Sequence, residues 1–475
     1  MMKRPFALTA GISGALLMTS ACSMAPAYHV PTGAAPTAAF KAAPGWASAV
    51  PADDIAKGQW WRLFNDPVLD GLEAKVTVTN QNLAAYRAAY AQARALVQED
   101  RAGLFPSVGV STGVTRSNTM VNGATATTAI SADASASWAP DLWGRQANTT
   151  SQARAQAEAS AATLANATLS AQGTLASDYV QLRGIDAQAA MLDDTLTAYR
   201  RSLTITQNKF NAGTVSRADV ETAQTTLSNA EANRRDLERQ RAALENAIAV
   251  LVGDNPSTFT LAAAPWRPVV PAVPAIVPGD ILQRRPDIAN AERLVAAANA
   301  NIGIQRAAFF PTVNLTAQAG STASTVAGLF RAATSLWSLG ASAAETLIDF
   351  GARSAKVAQA RAGYDGAVAT YRQTVLAAFQ EVETDLSALT AYRAEAGHYT
   401  TADAAAAKAE AITRNQYAAG TVDYTTVTSA QAAAYAARVN LIQNTINRQN
   451  AAVAVIQAIG GEWTGGVELN PAIRR

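Results

Sequence analysis

At 475 residues the chain is long enough for two or three ordinary domains. Lys+Arg 38 against Asp+Glu 36 leaves a net charge of +2 with no basic stripe, which excludes a nucleic-acid binder. Charged residues make up only 16% and hydrophobic ones 49%, much of that alanine. No stretch of the mature chain is apolar enough for a spanning helix, so any membrane crossing has to be made by strands.

The first 21 residues read as a signal peptide, with Lys3 and Arg4 ahead of an apolar run from Phe6 to Met18 that is too short to span. Thr19-Ser20-Ala21-Cys22 follows, and Cys22, the only cysteine, cannot form an internal disulfide. The segment resembles the lipobox of bacterial lipoproteins, in which the new N-terminal Cys is acylated. Thr19 departs from it where Leu is preferred, and a plain cleaved signal with an incidental Cys is the alternative. Ser23, by the same resemblance, favours the outer membrane. Residues 22–52, rich in Pro, Ala and Gly, read as lipid anchor and tether.

The first repeat is placed at 53–264. Its opening, Gly58-Gln59-Trp60-Trp61-Arg62-Leu63-Phe64-Asn65-Asp66-Pro67, holds an aromatic cluster better suited to anchoring a short helix in a core than to stacking a ligand. Asp66-Pro67 marks a helix start. Leu72, Val76, Leu83, Tyr86, Tyr90 and Ala93 then carry one helix to about Ala102. Phe105-Pro106 ends it, and the period changes to two. Val108, Val110, Thr112 and Val114 share one face, and Ser107, Gly109, Ser111 and Gly113 the other. Asn122-Gly123 signals a turn, and Ile130 to Trp138 returns. The hairpin, about 105–140, has strands of about ten residues, the length a tilted strand needs to cross a bilayer.

Gln146 to Ala212 contains no proline and reads as one helix, on the order of 100 Å long at 1.5 Å per residue. Ala212-Gly213-Thr214 turns the chain into a partner helix from Val215 to Val252, giving a helix hairpin at about 146–253. A Pro-rich linker, 265–285, ends in Arg284-Arg285, and Pro286-Asp287 follows. Pro286 suits a helix's first turn and Asp287 its dipole. The arginines are expected to pair with acids such as Glu292, with phosphate binding the lesser alternative.

The second repeat, 286–461, copies the first, with a β-hairpin at about 311–346 and a helix hairpin at about 352–460, and a tail at 462–475 follows it. Phe310-Pro311 repeats Phe105-Pro106, and Val313, Leu315, Ala317 and Ala319 alternate before a return strand at Ser335 to Ala344. The turn Phe210-Asn211-Ala212-Gly213-Thr214-Val215 comes back about 207 residues later as Tyr417-Ala418-Ala419-Gly420-Thr421-Val422. Behind each turn runs a three-four stripe: Val220, Ala223, Leu227, Ala230, Arg234, Leu237, Arg241, Leu244, Ile248, Leu251, and at the same offset Val427, Ala430, Ala434, Ala437, Leu441, Asn444, Arg448, Ala451, Val455, Ala458. That spacing keeps one seam against a partner helix, and its recurrence marks an internal duplication. Trp138, Trp143, Phe330 and Trp337 suit an interfacial belt. The fold class is therefore mainly α with β, a duplicated protomer with four transmembrane strands. Four strands cannot close a barrel and open edges are excluded from lipid, so several chains must share one wall.

Arg284-Arg285-Pro286-Asp287-Ile288, with Ala291-Glu292 and Phe310-Pro311, resembles the signature of the TolC-like outer membrane efflux proteins, in particular the NodT-type lipoproteins of RND efflux systems. Trp60, Trp61, Asp66 and Pro67, the duplicated turns and Cys22 agree with it. The resemblance implies a homotrimer with a 12-stranded barrel in outer membrane lipid and a periplasmic α-barrel of helix hairpins. It further implies partnership with a periplasmic adaptor (membrane fusion) protein and an inner membrane RND transporter. The duct would conduct small molecules passively, without enzymatic activity, metal or cofactor beyond the lipid on Cys22.

By that resemblance Gly213, Thr214, Val215, Gly420, Thr421 and Val422 form the periplasmic tips that meet the adaptor. Aspartates commonly ring the closed pore six and nine residues past the second-repeat glycine; here those places hold Thr426 and Ser429. Asp423 and Asp219 are the candidate substitutes, and an ordinary first-turn carboxylate is the alternative for each. Only His29 and His398 exist, and no nucleophile triad, phosphate loop or Cys/His cluster is present in the sequence. The competing functions are the exit duct of a type I protein secretion system and a non-channel, outer-membrane-tethered coiled-coil protein.

Overall fold

The computed structural model describes residues 23–32, 59–118, 126–271, 285–329 and 331–461. A short 3-10 helix, Trp60–Phe64, precedes α1 (Pro67–Thr79) and α2 (Gln81–Ala102), and the first hairpin is β1 (Ser107–Ser117) with β2 (Thr127–Trp138). The long pair is α3 (Arg145–Asn211) and α4 (Arg217–Leu251). The second half repeats the order as α5 (Pro286–Ala307), β3 (Thr312–Ala323), β4 (Ser335–Ala344), α6 (Ala352–Ala418) and α7 (Tyr424–Ala458). Helices α3 and α6 are each 67 residues long, about 100 Å at the standard rise.

The chain divides into two compact units, and α3 and α6 contribute residues to both. The first unit takes the described residues within Met1–Thr32, Ala89–Ala161 and Asn290–Arg372. It holds the four strands in one antiparallel sheet of order β1-β2-β3-β4. The pairing of β2 with β3 joins the two repeats, which leaves β1 and β4 as the edges.

Residues 23–32, expected as part of a loose tether, are held against helices instead. Ser23 Oγ donates to Asn148 Oδ1 (3.0 Å), Asn299 Nδ2 to the Pro26 carbonyl (2.9 Å), and the Tyr28 hydroxyl to the Glu292 carboxylate. The reason is local packing: a β-carbon on Gly303 would stand 2.8 Å from the Ala25 nitrogen and 2.5 Å from Asn148 Nδ2. Only a bare Cα at 303 lets the segment pass that close.

The second unit takes the described residues within Gly33–Ala88, Ala162–Ala289 and Gln373–Arg475. Leu227, Ala230 and Leu237 of α4 pack with Ile185, Leu192 and Leu196 of α3 in one buried cluster. No position of either three-four stripe is exposed, which is what a seam between helices requires. Arg241 in the stripe is not an error of pattern: Nε donates to Asp186 (2.8 Å) and Nη1 to Glu245 (3.1 Å), and Asp186 also takes Arg183 Nη1 (3.0 Å). A half-buried guanidinium is tolerated in the seam because its donors are matched by carboxylates.

Two further expectations are corrected. The helix expected from Pro67 to about Ala102 is two helices, broken at Asn80. Its side chain accepts from the Leu83 amide (3.0 Å) and donates to the Leu251 carbonyl (2.8 Å), so it starts a new helix and ties it to the end of α4. Arg285 does not pair with Glu292. It bonds Asp287 (2.8 Å) and Glu381 (2.7 Å), while Glu292 is two turns further on and engaged by Tyr28 and Arg293.

Candidate functional site

The helix turns are built alike. In the first, Gly213 has φ 72°, its amide bonds the Phe210 carbonyl (2.8 Å) and the Thr214 amide the Lys209 carbonyl (2.9 Å). In the second, Gly420 has φ 77°, with Gly420 to Tyr417 at 3.0 Å and Thr421 to Gln416 at 3.0 Å. This double closure satisfies the last carbonyls of each helix and needs a left-handed residue, hence glycine. The hydroxyls of Thr214 and Thr421 add a bond to the same Lys209 and Gln416 carbonyls. Val215 and Val422 are half-buried beside them.

After each turn the returning helix is capped. Ser216 is the N-cap of α4 in a capping box: its Oγ accepts from the Asp219 amide, and Asp219 Oδ2 accepts from the Ser216 amide (2.9 Å). In α7 the N-cap is Asp423, whose Oδ1 accepts from the Thr426 amide (2.8 Å) and hydroxyl (2.7 Å). The Thr426 hydroxyl, and secondly its amide, hold the Asp423 carboxyl below the usual carboxylate range. Ser429 Oγ donates back to the Thr425 carbonyl (3.0 Å).

A latch joins the two turns. The Tyr417 hydroxyl shares a hydrogen bond with Thr206 Oγ1 (3.1 Å), Lys209 Nζ lies 4.1 Å from the Tyr417 ring centroid, and the same ammonium donates to the Tyr417 carbonyl. Tyr417, Tyr424, Val427 and Ala223 make a small buried cluster beneath. Burial, with a smaller contribution from Asp219, raises the Tyr417 phenol. The matched turns were visible in the sequence, but this cross-repeat contact was not, because no periodicity links Lys209 to a residue 208 positions away.

The strand register sorts the sheet's two faces. Across it run Val108, Ala136, Ala317 and Leu339, and next to them Val110, Ala134, Ala319 and Trp337. The opposite face carries Ser107, Ser137, Thr316 and Gly340, then Gly109, Ser135, Gln318 and Ser338. One face suits lipid and the other water. Trp337 is 77% exposed on the apolar face. Trp138 donates its indole N–H to the Leu104 carbonyl (3.0 Å) and Trp143 to the Pro311 carbonyl (2.8 Å), with Trp143 stacked on Phe310 at 4.8 Å. Phe330 and the turn at Asn122-Gly123 lie outside the described residues.

The remaining signature residues are structural clamps. Trp60, 1% exposed, packs edge-on to Trp61 and Phe64. Asp66 caps α1 ahead of Pro67 and accepts the Tyr179 hydroxyl (2.6 Å). Arg285 donates to the Ala458 carbonyl (2.6 Å) at the end of α7, while Pro286 and Asp287 start α5. Arg284 and Cys22 lie outside the described residues. Among the described residues no helix is long and apolar enough to cross a membrane, and no His/Cys/Asp/Glu group is disposed to hold a metal.

The model of the family described as "Outer membrane efflux protein" matches residues 74–254 and 277–461. The chain is 30% identical over 458 residues to the probable efflux pump outer membrane protein TtgC of Pseudomonas putida, covering 93% of each. It is 28% identical over 460 residues to the pyoverdine export outer membrane protein OpmQ of Pseudomonas aeruginosa, covering 94% of this chain and 96% of that one. The structure matches the outer-membrane channel OprN with a TM-score of 0.86 at 26% identity, over 93% of this chain and all of that one. The open state of the MtrE outer membrane channel of Neisseria gonorrhoeae matches in fold, with a TM-score of 0.83 at 24% identity over 94% of this chain and 100% of that one.

Proposed function

This chain belongs to the outer membrane efflux protein family, and from that membership we propose that it is the exit duct of a tripartite RND-type pump. It is an outer membrane channel for efflux. The observation that carries it is the sheet, whose apolar and polar faces are separated by register and whose edges, β1 and β4, are unpaired among the described residues. In hydrocarbon such edges must be closed by another strand. Strand direction alternates through the sheet, so β4 of one copy meets β1 of the next antiparallel, and three copies close a 12-stranded barrel.

The helix hairpins form the periplasmic duct in this reading, with the turns at Gly213 and Gly420 facing a periplasmic adaptor and, beyond it, an inner membrane RND transporter. Cargo is small toxic molecules, in keeping with relatives named as toluene, solvent and antibiotic efflux proteins. Conduction is passive, without catalysis or metal, and Cys22 carries a lipid as the sole covalent group. Asp219 and Asp423 contribute carboxylates near the duct's entrance.

The test is disulfide trapping between a cysteine at Val110 on β1 and one at Leu339 on β4, in the full-length protein with Cys22 retained. Covalent dimers and trimers in outer membrane preparations support the shared barrel. A chain that stays monomeric by mass in detergent and never crosslinks overturns it.

A further inference from the structure

We propose that a cavity between α3, α6 and α7 binds a small organic cation that also carries a hydrogen-bonding hydroxyl. The cavity measures about 240 Å³ and lies wholly within the second compact unit. Drug-sized pockets start at about 300 Å³, so the occupant is a single-ring molecule rather than a drug.

The first observation is Gln431. It lines the cavity, is 2% exposed, and neither its amide oxygen nor its amide nitrogen has a partner. Buried amides are normally satisfied, so both ends of this one await a ligand offering a donor and an acceptor. The equivalent residue of the first repeat, Gln224, lies exposed and donates to Ser228 Oγ (3.2 Å). The unsatisfied amide therefore belongs to this cavity and is not a repeat-wide habit.

The second observation is charge. The walls carry the carboxylates Asp194, Asp403 and Glu410 against Arg414 and Arg438. Asp403 is matched to Arg438 at 2.7 Å and Glu410 sits 3.6 Å from Arg414, whereas exposed Asp194 has no ion pair among the described residues. One negative charge is left over for a ligand. The third is aromatic: Tyr199 and Tyr435 both line the space, and their rings offer faces that favour a cation or a flat ring.

The experiment is calorimetric titration of the detergent-extracted full-length protein with tyramine, which joins an ammonium, a ring and a hydroxyl. The control is 3-(4-hydroxyphenyl)propanoate, of similar shape and opposite charge. Saturable tyramine binding is expected, with no binding of the anion, and a loss of about tenfold in affinity on Asp194→Asn and on Gln431→Met. Asp194 is exposed, so Asp194→Asn carries the test even where Gln431→Met fails to fold. Absence of saturable tyramine binding, equal binding of the anion, or affinity unmoved by Asp194→Asn overturns the site. The result is independent of barrel assembly, which the disulfide trapping above decides separately.

Discussion

Asp219 and Asp423 cap equivalent helices from opposite ends of the same hydrogen-bonded pair. In α4 serine is the cap and aspartate sits three residues on; in α7 aspartate is the cap and threonine sits three residues on. The duplication has exchanged the partners and kept one carboxylate at each helix start, where the dipole favours it. Asp423→Ala should loosen the second turn and leave the first intact, seen as faster amide exchange confined to Thr421–Val427. Because its carboxyl is held below the ordinary range, the cap is at full strength at neutral pH and is lost as pH falls through that lowered value. Ser216→Ala should cost about 1 kcal/mol at the first turn. Equal exchange at both turns in either variant would contradict the division of labour.

The Tyr417 latch makes a separate prediction. Tyr417→Phe removes the Thr206 bond, worth about 1 kcal/mol, and Lys209→Met removes the ring and carbonyl contacts together. Both should increase the spread of distances between spin labels on the two turns, with Lys209→Met the larger. Single-channel conductance in planar bilayers should rise in the same order; unchanged conductance and label distances would sink the latch.

Glu73 is fully buried in α1, and neither carboxylate oxygen has a hydrogen-bond partner. Burial, then the nearby Asp70, pushes its pKa up to about 9. A carboxyl raised in the folded state stabilises the fold when protonated. Its contribution is therefore present below the ordinary value of about 4.5 and is lost progressively as pH rises toward 9. Glu73→Gln should flatten that loss and raise stability at pH 8 by on the order of 1–3 kcal/mol. Thermal unfolding followed from about pH 4 to about pH 10, on either side of that window, decides it; parallel curves for the two proteins would refute the account.

The sheet faces can be tested by a matched pair. Val110→Arg places a charge beside Ala134, on the face that also carries Ala319 and Trp337, and should cost about 2–4 kcal/mol if that face meets lipid. Ser111→Arg, on the other face, should leave assembly nearly unchanged. Recovery of membrane-inserted protein is the readout, and equal recovery of the two variants would remove the assignment of faces.

The duplication, the period-two strands and the glycine turns were legible because each depends on residues close together in sequence. Asn80 was not read as a break, since Val76 to Leu83 keeps an apolar rhythm across it and the reason for the break is the Leu251 carbonyl. Proximity points Arg285 to Glu292, yet it bonds Asp287, two residues on, together with Glu381, 96 positions away, and the end of α7. The docking of residues 23–32 is hidden because their composition is that of a linker, and what allows it is the bare Cα of Gly303, with bonds to Asn148, Glu292 and Asn299 holding the segment there. In each of these places a group distant in the chain adds a contact that local sequence does not show.

The two unpaired edges have a genetic consequence. A chain with a damaged β1 or β4 can still fold its helices and offer one sound edge to an intact neighbour. Having accepted it, the neighbour is committed to a ring that cannot close. Edge lesions should therefore behave as dominant alleles, lowering the resistance of a cell that also carries the intact gene, whereas lesions that abolish the helices should be recessive.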